Sequence, residues 1–308
     1  MATTTTVSSN YAGKVAGSII GKSFKEGDTL GSGIITEVPN VNFKMNLRKI
    51  QYTNGTTNYS CGFTPEGAVV LSEKVLEVKK LMNPFQICKE EFRQTWSEDS
   101  MGQSASNPNM PADILEAMQM QVLGSQAEKV DNDIWNGTDV DGSFAGFISQ
   151  FTADGNVVKA NNGITALNAA TTEANVEAHL KAALSAVPIA LRGKQLEVLV
   201  APNVFQAYSF YLVSKGIAWN GTTDEKRIGF GNYMLTKVNG LAADTIVVYE
   251  KSNLVFATGS TSDFNELTLI DEDSIGLLTG QVRGKMVYAA SVGYYNSEDI
   301  VWLLTTTA

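Results

Sequence analysis

Apolar and polar positions change rhythm several times along the chain, and each rhythm predicts a different element. Residues 1 to about 36 are rich in Thr, Ser, Gly and Ala, with too little continuous apolar surface for a core of their own. They predict an arm whose Ile19, Ile20, Phe24, Leu30, Ile34 and Ile35 dock on a neighbouring surface. From Val38 to Leu81 the pattern alternates, with Phe43, Met45 and Leu47 on one face and Lys44, Asn46 and Arg48 on the other. Asn54 and Gly55 tolerate positive φ and predict a tight hairpin turn, Thr53 to Ser60 a polar tip, and Pro65 to Gly67 a second turn. The chain then returns from Val69 to Leu81. A two-stranded excursion of this kind is only marginally stable alone in water, so it needs a partner.

Phe85, Cys88, Phe92 and Trp96 recur at helical spacing after Pro84 and predict a short helix with a buried aromatic face. Ser97 to Pro108 is a polar connection. The stretch from Pro111 to Trp135 predicts one long helix. Pro111 suits its first turn, Asp113 and Glu116 its positive start, and Gly137 its stop. Leu115, Met118 and Val122 share one stripe, continued with a slow drift by Leu123, Ala127, Val130 and Ile134. At 1.5 Å per residue this helix runs roughly 35 to 40 Å, longer than one small core covers, and it reads as a strut.

Beyond it, Glu173 to Val187 is amphipathic through Val176, Leu180, Ala183, Leu184 and Val187, with His179 at the edge. Leu196 to Ala201 is an apolar run that predicts a buried strand. Pro202 opens a helix carrying Val204, Phe205, Tyr208, Tyr211 and Leu212 up to Gly216. A polar loop from Asn220 to Lys226 precedes short strand candidates at 233–238, 245–249, 254–257, 267–270, 282–292 and 300–304. β pieces interleaved with a few helices, without a repeat, predict an α+β or mixed fold.

Composition narrows the function classes. With 308 residues and 44% hydrophobic content the chain can bury a substantial core. A formal net charge of -9 argues against coating nucleic acid or anionic membranes, which needs a surplus of Lys and Arg. Residues 1 to 50 run the other way, with Lys14, Lys22, Lys25, Lys44, Arg48 and Lys49 against Glu26, Asp28 and Glu37. The start lacks a signal-peptide pattern, and no stretch approaches the ~20 apolar residues of a membrane span. Cys61 and Cys88 form no metal or redox motif and are expected as free thiols.

Candidate chemistry is thin. Ala16 to Ser23 comes nearest to a phosphate-binding loop, but Ala16 stands where the motif needs glycine and no buried strand feeds it. Gly229 and Gly231 lack the third glycine of a dinucleotide fingerprint. The Asp-rich turn Gly137 to Ser143 fails the calcium-loop pattern: with Gly142 as its glycine, Ile148 falls where the closing Glu belongs. His179 is the only histidine, so a His-based zinc site or a Ser-His triad cannot be completed in the usual way. The carboxylates Glu90, Glu91 and Asp271 to Asp273 read as solvated surface. No catalytic residue, cofactor-binding residue or metal ligand is assigned, and the chain is not expected to be an enzyme.

The order of elements is itself informative. Tyr11 to Lys14 in the arm, Val41 to Ile50 entering the hairpin and Leu71 to Lys80 leaving it resemble the major capsid protein of tailed bacteriophages, the Hong Kong ninety-seven fold shared with encapsulins. Leu191 to Pro202 followed by a helix, and Lys251 to Phe256, are similar to the family's central segment and late strand. The likeness spans nearly all the chain, and it resembles in particular capsid proteins of phages infecting Bacteroidetes. It implies an N-terminal arm (1–36), an E-loop hairpin (37–82), a P-domain with a spine helix (83–145), an A-domain (146–262), and P-domain strands with a C-terminal strand (263–308).

The implied function is mechanical: hexamers and pentamers of one chain tiling an icosahedral shell around double-stranded DNA. Assembly would take place in the bacterial host cytoplasm, with portal and scaffolding partners, possible decoration proteins and no membrane. No charged coiled-coil segment precedes the arm, so a separate scaffold is expected, and the reactive residues of one relative's covalent cross-link have no match. Two alternatives stand beside this: an encapsulin-like compartment with an enzyme cargo, and a cytoplasmic nucleotide-dependent enzyme using Gly21, Lys22 and Ser23.

Overall fold

The computed structural model describes residues 28–59, 61–62, 65–90, 112–161, 164–217, 226–264, 266–277 and 279–305. The described chain begins with one helical turn, α1 (Asp28–Gly31), and a short strand, β1 (Thr36–Val38). Among the described residues, strands β2 (Lys44–Thr53) and β3 (Ala68–Glu77) pair only with each other, and β4 (Lys79–Cys88) follows after Val78. The long helix α2 (Ala112–Asn136) stands within one residue of its predicted bounds, and α3 (Phe147–Ala153) follows a tight turn. Next come β5 (Val158–Lys159), α4 (Val176–Ser185), β6 (Leu196–Val200) and α5 (Pro202–Ser214). The last third is strand-rich: β7 (Arg227–Phe230), β8 (Tyr233–Lys237), β9 (Thr245–Glu250), β10 (Leu254–Thr258), β11 (Thr268–Asp271), β12 (Gln281–Tyr294) and β13 (Val301–Leu304).

β12 organises the first sheet. One edge pairs with β4 from Gln281 to Ala290; the other takes β11 near its start and β10 near its end, with β1 parallel on β10. Up to Ala290 its residues alternate between buried and partly exposed, as in a strand covered on one face. From there to Tyr294 both faces are buried, because the base of the hairpin covers the second face. Leu47 and Leu76 form a small cluster there with Val41, Val78, Val255 and Ala257. α2 packs its C-terminal half, including Val130, Ile134 and Trp135, into the main core, and Asn83 Nδ2 of β4 donates to Gln126 Oε1 at 2.9 Å.

The second sheet runs β5-β13-β9-β6-β8-β7. Val198, Leu199 and Val200 of β6 are completely buried, as expected of a strand covered on both faces. α4 packs on β9 and β13, and α5 on β8 and α4. An aromatic series, Trp135 to Phe147 to Phe151 and on to Tyr294 and Trp302, joins the end of α2 to both sheets. Most of the buried apolar residues of the two sheets belong to one large cluster that includes residues from Ile34 to Leu303. Glycine is required where α2 turns into α3: a Cβ on Gly137 would lie 2.1 Å from the Phe144 carbonyl oxygen, and one on Gly146 2.6 Å from the Asp133 carbonyl oxygen.

Three expectations are corrected. The predicted helix does not begin at Phe85, because Phe85 and Cys88 lie on β4; the chain turns helical only at Lys89 and Glu90, and Phe92 and Trp96 fall outside the described residues. Leu81, Asn83, Phe85 and Ile87 alternate with period two and pair with β12. A Cβ on Gly284 would lie 2.2 Å from the Phe85 ring, so the strand partner leaves room for that ring. Pro84 is tolerated because β4 is an edge strand.

The hairpin does not turn at Asn54-Gly55 either. Pairing ends at Thr53 and Ala68, and the described residues between them are not in strands; a Cβ on Gly55 would lie 2.1 Å from the Gly67 nitrogen. Third, the end of the predicted arm docks on its own chain through Thr29, Ile34 and Ile35, as described next.

Candidate assembly surface

The register of β2 and β3 sorts the hairpin's side chains onto two faces. Met45, Leu47 and Lys49 share one face with Leu76, Lys74 and Ser72; Lys44, Asn46, Arg48, Ile50 and Tyr52 share the other with Glu77, Val75, Glu73, Leu71 and Val69. The first face lies on the body of the molecule. Leu47 and Leu76 sit over Gly293, where an added Cβ would come within 3.3 Å of both side chains. Lys74 Nζ lies 3.3 Å from the centre of the Tyr294 ring, and Lys49 Nζ donates to Asn296 Oδ1 at 2.6 Å.

The second face points away from the body. Near the base it carries an ionic ladder, Lys44 with Glu77 and Arg48 with Glu73, each at 3.1 Å. Toward the tip the same face becomes apolar. Ile50, Tyr52, Val69 and Leu71 are 70%, 64%, 63% and 71% exposed, and the cross-strand pairs Ile50-Leu71 and Tyr52-Val69 make them one contiguous patch. Such a patch on a projecting hairpin marks an interaction surface. The apolar row changes face at Lys49, between Leu47 and Ile50, and this change of phase was visible in the sequence.

The neighbouring N-terminal segment behaves differently. The Thr29 backbone N–H donates to Asp131 Oδ1 at 3.0 Å, and Trp135 Nε1 donates to Thr29 Oγ1 at 2.8 Å. Tyr249 OH donates to the Ile34 carbonyl at 2.7 Å, with Ile34 and Ile35 only 2% and 3% exposed. Burial pushes the Tyr249 phenol well above its ordinary pKa, so it remains a donor throughout the physiological range.

The features tested for chemistry resolve into structural roles. In the Asp-rich turn Gly137–Ser143, the Lys79 ammonium binds Asp139 Oδ1 at 3.2 Å and the carbonyls of Val140 and Ser143 at 2.9 and 2.7 Å, so a lysine occupies the oxygen cage. Asp271 and Asp273, expected as solvated surface, instead flank Lys89 Nζ, 2.5 Å from Asp271 Oδ1 and 3.0 Å from Asp273 Oδ2, with the lysine side chain 5% exposed. The Gly280 N–H and this ammonium hold the Asp273 carboxyl below its ordinary value. Glu272, between them, is buried against Arg283 Nε at 2.6 Å and Thr279.

His179 is fully buried on α4, with Nδ1 3.1 Å from Thr171 Oγ1. Gly229 lies on β7 and Gly231, at φ 59°, in the turn to β8. Cys61 is exposed in the hairpin loop, and Cys88 is partly buried on β4. The phosphate-loop candidate at residues 16–23 lies outside the described residues, as do Tyr11 to Lys14, Glu91 and the loop 97–108. Among the described residues no group of three or more His, Cys, Asp or Glu could hold a metal ion, and no helix is long and apolar enough to cross a membrane.

No family model matches the chain, and no curated protein sequence matches it. Solved structures do. The capsid of a native GTA particle superposes with a TM-score of 0.63 at 10% identity, covering 96% of this chain and 95% of that one. Mycobacterium phage Adephagia gives 0.59 at 12% identity over 97% and 96%, and the capsid of Cyanophage P-SCSP1u gives 0.55 at 13% over 97% and 94%. The α+β fold, with its projecting hairpin and long helix, is therefore that of the matched phage-capsid structures across almost the whole chain.

Proposed function

We propose that this chain is a major capsid protein of a tailed bacteriophage, with a host among the Bacteroidetes as the sequence likeness implies. It is a non-catalytic subunit whose copies form hexamers and pentamers that close into an icosahedral shell around double-stranded DNA. The observation that carries the proposal is the outward apolar patch of Ile50, Tyr52, Val69 and Leu71 on a hairpin of the shared fold. Covering each of these side chains would contribute about 1.5–3 kcal/mol, and a second copy supplies a surface repeated as often as the patch itself. A patch that meets a different surface on its neighbour makes a head-to-tail contact, and such contacts close into rings.

In this proposal residues 1–36 are the arm, with its end at 29–35 anchored on its own chain, 37–82 the E-loop, 83–145 and 263–292 the P-domain, and 146–262 with the last strand the A-domain. A net charge of -9 suits a wall that encloses DNA without gripping it. Portal, scaffolding and decoration proteins are the partners, and the assembled virion is the destination. The test is electron microscopy of the purified full-length chain and of particles. Ring capsomers or icosahedral shells are expected, with DNA and tail proteins in the particles by mass spectrometry. A chain that stays monomeric at high concentration would overturn the proposal, and an enzyme cargo would replace it with a storage compartment.

A further inference from the structure

The hairpin could attach to the body by its apolar base alone, which would leave its tip free to swing. Instead, three positions at and just beyond the end of β12 each receive a different part of it: Gly293 lies beneath Leu47 and Leu76, Tyr294 beneath Lys74, and Asn296 beneath Lys49. Tyr294 is itself held, since its hydroxyl donates to Asp154 Oδ2 at 2.8 Å, and Asp154 Oδ1 accepts the Asn156 N–H at 3.0 Å. Lys74, Tyr294 and Asp154 line an open cleft of about 440 Å³ with Gln150, Ala153 and Gly155, where the hairpin crosses the end of α3.

We infer that Lys74, Tyr294 and Asp154 form a clasp that presets the angle of the hairpin on its own subunit, before any partner is met. The ammonium gains from the ring face and from the carboxylate, while Asp154 fixes the ring that Lys74 covers. Burial lowers the Lys74 pKa, and the nearby Asp154 carboxylate opposes that loss. Two residues along, Asn296 accepts from Lys49 and is itself locked by reciprocal bonds: its N–H donates to Asn253 Oδ1, and Asn253 Nδ2 donates to its carbonyl, both at 2.8 Å. The consequence is preorganisation: a hairpin held at one angle loses less freedom on docking than one that swings.

The clasp stands on the geometry of one chain and not on the shell proposal, and its test separates the two. Cys61 in the hairpin loop is an exposed native thiol. In a Cys88→Ala background it pairs with a second spin label at Gln206→Cys, an exposed position on α5, in full-length protein diluted with unlabelled copies. Native protein is expected to give one narrow distance distribution. Lys74→Glu and Asp154→Lys should each broaden or shift it at least twofold in width, whereas Lys74→Arg, which keeps a cation over the ring, should leave it narrow. Tyr294→Phe, which keeps the ring and loses the Asp154 bond, should fall between. A Lys74→Glu distribution identical to native, or a Lys74→Arg distribution as broad as that of Lys74→Glu, would overturn the clasp whether or not particles form.

Discussion

The segment 28–38 and the hairpin 44–77 lie side by side in the chain, and each looks too poor in core to stand alone. They end in opposite situations. Ile34 and Ile35 sink into the main core, whereas Ile50 and Leu71 remain in solvent at 70% and 71% exposure. The first segment is a strap that completes its own subunit, held by Asp131, Trp135 and Tyr249. The hairpin is clasped at its base and bare at its tip. A shortage of local apolar surface therefore does not say whose core a segment completes; that depends on what the rest of the chain offers it.

The strongest way to break the contrast is to make the strap polar. Ile34→Asp places an unpaired carboxylate in a site with 2% exposure and should cost more than about 4 kcal/mol, a large share of the roughly 5–15 kcal/mol that holds a typical domain folded, with the loss read as a strongly lowered melting transition. A variant that melts like the native chain would show that the strap is not part of the core. One step down in size, Thr29→Ala leaves the buried indole N–H of Trp135 without its acceptor and should cost about 1–3 kcal/mol in chemical denaturation. Combined with Trp135→Phe, the second change should add less than it does alone, because the two residues share one bond.

What the sequence made legible follows the same division. The bounds of α2, the proline-started helix α5 and the strands β6, β8, β9 and β10 were read correctly, because their apolar period or an apolar run is a local signal. The fate of the strap was hidden: its partners sit as far as 215 residues away, and nothing near Ile34 announces them. Phe85 and Cys88 satisfy a helical spacing as well as the two-residue alternation that pairing with β12 selects. β7 was missed because Gly229 interrupts its short apolar run. The outward patch was in plain view as the change of face at Lys49, and Tyr294 as the hairpin's seat had no local signal at all.

A smaller effect should come from acid. Burial in the cleft pushes the Asp154 carboxyl up, but the Asn156 N–H, the Tyr294 hydroxyl and the Lys74 ammonium together hold it below its ordinary value. A carboxyl depressed in the folded state contributes stability that is present above its unfolded pKa of about 3.9 and lost as pH falls through the folded value. The spin-label distance should therefore stay narrow from neutral pH down to about 4 and widen below it. In Asp154→Asn that acid step should vanish, and its persistence would assign it to another group.

The smallest effect on stability should come from the hairpin tip, and there the contrast is sharpest. Ile50→Ser, Tyr52→Ser and Leu71→Ser touch side chains already in solvent, so each should change the free energy of unfolding by no more than about 0.5 kcal/mol. Pairing of β2 with β3 survives because the backbone ladder and the Lys44-Glu77 and Arg48-Glu73 bridges are untouched. Removing the apolar face should nevertheless prevent association, which sedimentation reads as a shift from large particles or rings to single chains. If the serine variants assembled as well as the native protein, the patch would be ordinary surface. If they failed to assemble and also melted early, the tip would belong to the subunit's own fold. Only intact melting with lost association assigns the tip to a neighbour, because the two measurements then separate what a single copy needs from what its contacts need.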